Sequence, residues 1–219
     1  MKFKETHYGD LTGQTYKGDI DVSEMKLTSL EGAPEVVTGN FKCSNNRLTT
    51  LEHAPKRVEG YFDCSFNKIA TLKGAPEVVG KEFNCCLNRL TSLEGAPKEI
   101  GEDFICNINQ LTTLKGAPKE VNGYFDCSKN HLTSLEHAPE IVNVSFYCNN
   151  NRLTSLEGVP KIIKQGFFCE NNLSERLEEE YEFRKENPNL SEIEIKIELV
   201  KQGILKSEEL DGLQDIIFL

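Results

Sequence analysis

Apolar and polar residues alternate over short stretches of this chain, and the stretches return every 21 residues. Phe41 and Cys43 alternate with Asn40, Lys42 and Ser44, the period of a strand with one buried face. The next unit reads Phe62-x-Cys64-x-x-Asn67-x-Ile69-x-x-Leu72-x-x-Ala75-Pro76-x-x-Val79, and its neighbours keep that register. Phenylalanine recurs at Phe41, Phe62, Phe83, Phe104, Phe125, Phe146 and Phe167, and proline at Pro34, Pro55, Pro76, Pro97, Pro118, Pro139 and Pro160. Asparagine follows at Asn46, Asn67, Asn88, Asn109, Asn130, Asn151 and Asn172. Columns that hold register through seven units mark internal repetition. One strand per unit cannot bury its apolar face alone. Stacked units pair in parallel about 4.8 Å apart and share one core, so seven strands predict a spine of about 30 Å.

Each asparagine follows its strand, where its amide can satisfy backbone groups freed by the turn. Proline has no N–H, so pairing is expected on one side of the coil only. Glu-Gly-Ala-Pro is poor helix material, which predicts an extended or turn-like convex side. Ile20 and Val22 take the Phe and Cys columns of a degenerate first unit, and residues 1–19 are expected to cap the open edge before it. The C-terminal part differs in kind. Asn172 with Glu175 predicts a helix start, Asn187-Pro188 a stop, Ser191 with Glu194 a second start and Gly203 its stop. Glu192 to Ile197 also alternates like a strand, and Ser207 predicts a last short helix before Ile216-Ile217-Phe218-Leu219. The expected organisation is an N-terminal cap over 1–19, a solenoid over 20–172 and an acidic, mostly helical cap over 173–219.

The run F-x-C-x-x-N-x-L resembles the leucine-rich-repeat core L-x-L-x-x-N-x-L, with Phe and Cys in two leucine positions. A 21-residue unit falls in that family's range. The second half, L-T-S-L-E-G-A-P, resembles the short repeats of bacterial effector proteins and of phage or bacterial relatives. The resemblance spans roughly residues 20–172. It implies a repeat solenoid with a parallel β-sheet on the concave face and an extended or turn-like convex side, closed here by a small α-helical C-terminal cap. Some effector relatives carry a ubiquitin-ligase domain after their repeats; the 47 residues here are too few for one. Function belongs to sites rather than folds.

Composition changes the picture in three places. Seven of the eight cysteines, Cys43 through Cys169, sit 21 residues apart, which marks one structural position repeated; they are expected to be reduced core residues. Residues 173–219 hold six basic against thirteen acidic residues, and residues 1–172 hold nineteen against twenty-two. Neither part supplies the basic footprint of a nucleic-acid binder. The chain lacks an apolar run of about 18 residues and begins without a secretory signal, so a cytoplasmic location, the host cytoplasm for a viral gene, is expected and no membrane contact.

Strand residues pointing away from the core vary while the framework does not. Phe66, Leu87 and Ile108 share a column in three neighbouring units, with Ile105 and Cys86 beside them. Two placements are open for that column: exposed on the concave face, or turned into the core. Tyr61, Tyr124, Tyr147 and Phe168 are interleaved with Asp63, Glu82, Asp103 and Asp126. An apolar patch with aromatic and acidic neighbours points to a protein interface. The candidate partner-binding residues are therefore Tyr61, Asp63, Phe66, Leu87, Asp103, Ile105, Ile108, Tyr124, Asp126, Tyr147 and Phe168. A basic column, Arg47, Lys68, Arg89, Gln110, His131 and Arg152, is expected to be a solvated rim neutralised by the adjoining Glu31, Glu52, Glu94, Glu136 and Glu157.

Catalysis has little to stand on. His53 and His137 replace glycine in a turn column, and no serine or cysteine has an evident histidine partner. Cys86 is the one candidate thiol on the concave face, without an activating cation nearby in sequence. No metal, cofactor or catalytic residue is expected. The reading is a non-catalytic protein-binding module, an inhibitor or adaptor such as a phage protein that blocks a host or defence factor. The alternative is a small-molecule or nucleotide sponge, using aromatic rings for stacking and Arg or Lys for phosphate.

Overall fold

A computed structural model describes residues 1–205; the expected helix start at Ser207 and the stretch Ile216–Leu219 lie outside the described residues. Eight parallel strands form one face, in sequence order: Ile20–Asp21, Phe41–Lys42, Phe62–Asp63, Phe83–Asn84, Phe104–Ile105, Phe125–Asp126, Phe146–Tyr147 and Phe167–Phe168. Every residue pairs with its equivalent 21 positions on, Phe62 with Phe83 and Asp63 with Asn84. The ladder outlasts the regular strand: Phe62, Cys64 and Phe66 donate to Glu82, Asn84 and Cys86 at 2.9, 2.9 and 3.1 Å.

A second ladder runs along the opposite side, which corrects the expectation that proline confines pairing to one side. Thr15–Tyr16, Val36–Val37, Arg57–Val58, Val78–Val79 and Glu99–Ile100 form a five-stranded sheet, and Glu120–Val121, Ile141–Val142 and Ile162–Ile163 a three-stranded one. Each of these strands after the first begins two residues beyond a proline. The missing N–H thus falls outside the ladder, and the bonding starts with the residue after proline, as Lys56 donates to Glu35 at 2.9 Å.

Between the two sides lies one apolar column per framework position. Six phenylalanines, Phe41 to Phe146, are fully buried, with neighbouring ring centroids 5.3–5.7 Å apart. Such pairs contribute about 0.5–1.5 kcal/mol each beyond their burial. Both ends of the ring column are covered. Phe3, in a 3-10 turn over Phe3–Glu5, stacks on Phe41 at 6.2 Å, and Tyr181 stacks on Phe167 at 4.1 Å. The seven column cysteines are free and buried; Cys64, Cys85, Cys106 and Cys127 donate their thiol to a carbonyl of the next unit at 3.2–3.4 Å. Burial drives the pKa of these thiols up, so they pack as hydrophobes.

The asparagine column ties adjacent units together. Asn88 Oδ1 accepts from Ile69 N at 2.9 Å, and its Nδ2 donates to Cys64, Cys85 and Cys86 carbonyls at 3.0–3.2 Å. One side chain therefore closes the turn of its own unit and that of the preceding one. Asn172 belongs to this column, accepting from Leu153 N at 3.0 Å, and does not cap a helix.

Helix α1 spans Leu177–Glu186 and is preceded by Arg176 at the cap position without a side-chain cap, four residues later than the Asn172 start expected. Helix α2 spans Glu192–Lys201, and Ser191 with Glu194 forms the anticipated capping box. The helix, not the alternating strand, is adopted over Glu192–Ile197: Ile195 and Leu199 are buried, four residues apart, and pack with Phe183 and Leu190. Helix α1 also ends the coil's hydrogen bonding. Leu93 and Leu135 donate to backbone carbonyls of the following units, whereas Leu156 donates to the Glu180 carboxylate at 2.8 Å. Arg184 holds that carboxylate at 2.8 Å and bridges it to Glu192.

Replacing Asn88 with alanine leaves the buried Ile69 N–H without an acceptor and strips donors from three carbonyls. The expected loss is roughly 2–4 kcal/mol, read from urea unfolding. A loss under about 1 kcal/mol would remove the asparagine from the set of fold-determining contacts.

Candidate partner-binding face

The register decides which candidates meet. Along the middle of the eight-stranded sheet, Asp63, Asn84, Ile105, Asp126, Tyr147 and Phe168 lie on adjacent strands in one unbroken row. Two positions earlier in each unit run Tyr61, Glu82, Asp103 and Tyr124. At the other rim, where the chain leaves the sheet, stands the column Asn45, Phe66, Leu87, Ile108, Lys129, Asn150 and Asn171.

That rim column is exposed, which settles its placement. Phe66 is 55% and Ile108 36% accessible, and Leu87 is half-buried. All seven residues have positive φ, 52° at Phe66, Leu87 and Ile108 and 52–57° at the other four. The turn into the Asn46-type position demands this left-handed geometry in every unit. Asparagine tolerates it; a β-branched residue such as Ile108 is an outlier there. The strain is of order 1–2 kcal/mol per residue.

The aromatic candidates divide between the two ends. Tyr61 sits under the Lys42 ammonium, 5.5 Å from the ring centroid. Tyr124 meets Tyr147 edge-on at 6.0 Å, and Tyr147 stacks on Phe168 at 4.6 Å. Glycine at position 166 makes room for the last ring: a Cβ there would fall 2.6 Å from Phe168.

The carboxylates accept neutral donors only. Asp63 and Asp126 accept from Ser65 N and Ser128 N at 2.9 Å, Asp126 also takes Asn107 Nδ2 at 2.6 Å, and Asp103 accepts from Tyr124 N at 2.8 Å. Burial pushes the pKa of Glu82 up, with the like charges of Asp103 and Asp63 adding to it. Burial likewise raises Asp103 and lifts the Tyr124 hydroxyl to about 12. Cys86 is half-buried, and burial beside Asp63 pushes its thiol to about 11, so it is protonated and unactivated at neutral pH.

The basic column is solvent-exposed as expected, but its neutralisation departs from expectation. Among the described residues, Arg47, Lys68, Arg89 and Arg152 are exposed and make no ion pair. Three of the five glutamates expected to neutralise them pair elsewhere: Glu31 with Lys2 and Lys4, Glu94 with Lys115, Glu157 with Lys196. Most of these pairs run between elements or between equivalent positions one unit apart, where the inter-strand spacing of about 4.8 Å brings side chains together. The missed signal at this face was backbone rather than charge: asparagine at 45, 150 and 171 in the column of Phe66 marks a left-handed position.

Two clefts of about 300 and 390 Å³ flank α1 rather than the sheet face. The first is lined by Glu170, Glu175 and Glu178, a poor setting for a phosphate. No His, Cys, Asp and Glu cluster fit to hold a metal occurs among the described residues, nor is any described helix long and apolar enough to cross a membrane.

This is the architecture of a short-repeat leucine-rich-repeat solenoid, with 21-residue units, an eight-stranded parallel sheet and a small helical pair at the C-terminal end. Its backbone is similar to that of YopM from Yersinia enterocolitica WA-314, a leucine-rich-repeat protein, with a TM-score of 0.55 and 24% identity. The match covers 71% of this chain and 38% of that one, so it bears on the fold. No family model matches the chain, and no curated protein matches it significantly.

Because folding raises the pKa of Glu82 and Asp103, their ionised forms oppose folding: the contribution of these two groups is fullest in acid and is lost as pH rises through the folded values. Substituting both, Glu82→Gln with Asp103→Asn, raises Tm at pH 7, and the gain vanishes below about pH 3, beneath the unfolded values of both carboxyls. Asn40 already accepts from Tyr61 N in the Asp103 position at 3.0 Å, so the backbone bond survives. Thermal melts that show a loss at pH 7, or an equal gain at both pH values, refute the assignment.

Proposed function

We propose that this chain is a non-catalytic inhibitor or adaptor that captures a protein partner on its concave face. The observation that carries this reading is the rim column. Three neighbouring units place Phe66, Leu87 and Ile108 in left-handed backbone, where three others place Asn45, Asn150 and Asn171, and Phe66 and Ile108 are exposed to solvent as well. The left-handed backbone opposes folding, and the exposed rings and methyls recover little of that cost by burial. With strain of about 1–2 kcal/mol each, the three together approach a sizeable share of a margin of about 5–15 kcal/mol. Strain that folding does not need clusters where binding does, and a contiguous exposed apolar patch is the usual core of an interface.

The row beside it supplies orientation. Tyr124, Tyr147 and Phe168 offer ring faces and edges, Tyr61 a ring already engaged by Lys42, and Asp63, Asp103 and Asp126 carry negative charge next to them. Ile105 extends the apolar patch from the rim into the sheet. Aromatic anchors ringed by charge are the composition of binding hot spots, with the charges governing register and approach.

The test uses Phe66→Asn combined with Ile108→Asn, which installs the residue that the fold itself uses at positions 45, 150 and 171. Wild type and variant are compared in affinity capture from a lysate of the source cells, read by mass spectrometry. A stoichiometric protein held by the wild type and lost by the folded variant is the expected outcome. A partner held equally by both places the interface elsewhere.

A further inference from the structure

Over much of the surface, the repeat sets opposite charges one unit apart and lets them pair: Glu35 with Lys56, Glu77 with Lys98, Glu94 with Lys115, Glu140 with Lys161. Around the rim column this stops. Arg47, Lys68 and Arg89 follow the rim residues Asn45, Phe66 and Leu87 by two positions, and on the sheet side of the rim Asp63 and Asp126 stand in the middle row, with Glu82 and Asp103 in the row beyond it. Among the described residues none of these seven forms an ion pair. An exposed apolar ridge thus runs along the solenoid axis between an unpaired cationic flank and an unpaired anionic one.

The spacing along the ridge selects the shape of its occupant. Successive units are about 4.8 Å apart. A strand laid along the ridge presents same-face residues about 6.7 Å apart and falls out of step by nearly 4 Å over the three positions. The apolar stripe of an α-helix advances three or four residues per step at 1.5 Å each, about 4.5–6 Å, and stays within roughly 1 Å of register over the same length.

We propose that the partner engages this ridge with an amphipathic α-helix lying parallel to the solenoid axis. Its apolar stripe packs on Phe66, Leu87 and Ile108. Acidic residues on one edge of the stripe meet Arg47, Lys68 and Arg89, and basic residues on the other edge meet the carboxylates of the sheet. This rests on the reading that the concave face captures a protein. Complementary flanks fix the direction of the helix as well as its face, because turning it end to end would set like charges against each other.

The probe is a display library of random peptides about 16 residues long, roughly 24 Å as a helix, selected on the full chain and counter-selected on the Phe66→Asn/Ile108→Asn variant. Enriched peptides are expected to carry Leu, Ile, Met or Phe at i, i+3 or i+4, and i+7, with acidic residues on one edge of that stripe and basic residues on the other. A synthetic winner gains helical circular dichroism on binding and loses at least about tenfold in affinity against Arg47→Glu/Arg89→Glu. Winners that depend on Phe66 and Ile108 but alternate with period two, or have no period, overturn the helix while sparing the capture face. Unchanged affinity for the Arg47/Arg89 variant overturns the flank assignment. Enrichment of nothing that the counter-selecting variant loses overturns both the helix and the capture reading beneath it.

Discussion

One side chain per unit carries the constraint on which the coil depends. An asparagine in the Asn67 position accepts one backbone N–H from the unit before it, and donates to carbonyls of that unit and of its own. No apolar residue could meet these groups, and leaving them buried and unpaired would cost about 1–3 kcal/mol each. The amide also needs its unit to sit one strand spacing from the last, so satisfying the turn fixes the register. Parallel pairing, the stacked phenylalanines and the repeated thiols follow from that register; none of them requires a side chain on the outer side of the sheet.

A repeating framework must be ended, and both ends imitate the contact that the missing unit would supply. Phe3 and Tyr181 extend the ring column beyond Phe41 and Phe167. The Glu180 carboxylate takes the place of a following unit's carbonyl for Leu156 N. That substitution carries a burden: Glu180 is buried, burial raises its pKa against the pull of Arg184, and its second oxygen has no partner. Glutamate serves there because a helix cannot turn a backbone carbonyl toward the open ladder, whereas its side chain can reach it.

The framework was legible because every rule behind it is local and repeated seven times. Alternation gave the strands, the asparagine column the turns, and Ser191 with Glu194 the second helix. The opposite-side ladder was hidden because proline argues against pairing at its own position and says nothing of the residue two places on. Asn172 satisfied two rules at once, turn closure and helix capping, and the periodic one prevailed. At the candidate face the residues could be named but not their exposure. Phe66, Leu87 and Ile108 look like core by hydropathy, and only the left-handed backbone, imposed by the turn, puts them at the rim. Asparagine at 45, 150 and 171 held that information.

The central claim is that Phe66, Leu87 and Ile108 are retained against the interest of the fold. It is tested most directly by the unfolding free energy, in urea, of a chain carrying asparagine at all three positions. Relief of left-handed strain, less the apolar contact of the half-buried Leu87, predicts a gain of roughly 1–3 kcal/mol with an unchanged m-value. A variant less stable than the wild type would mean that these side chains hold the solenoid together, and the rim would lose its claim to be a binding surface.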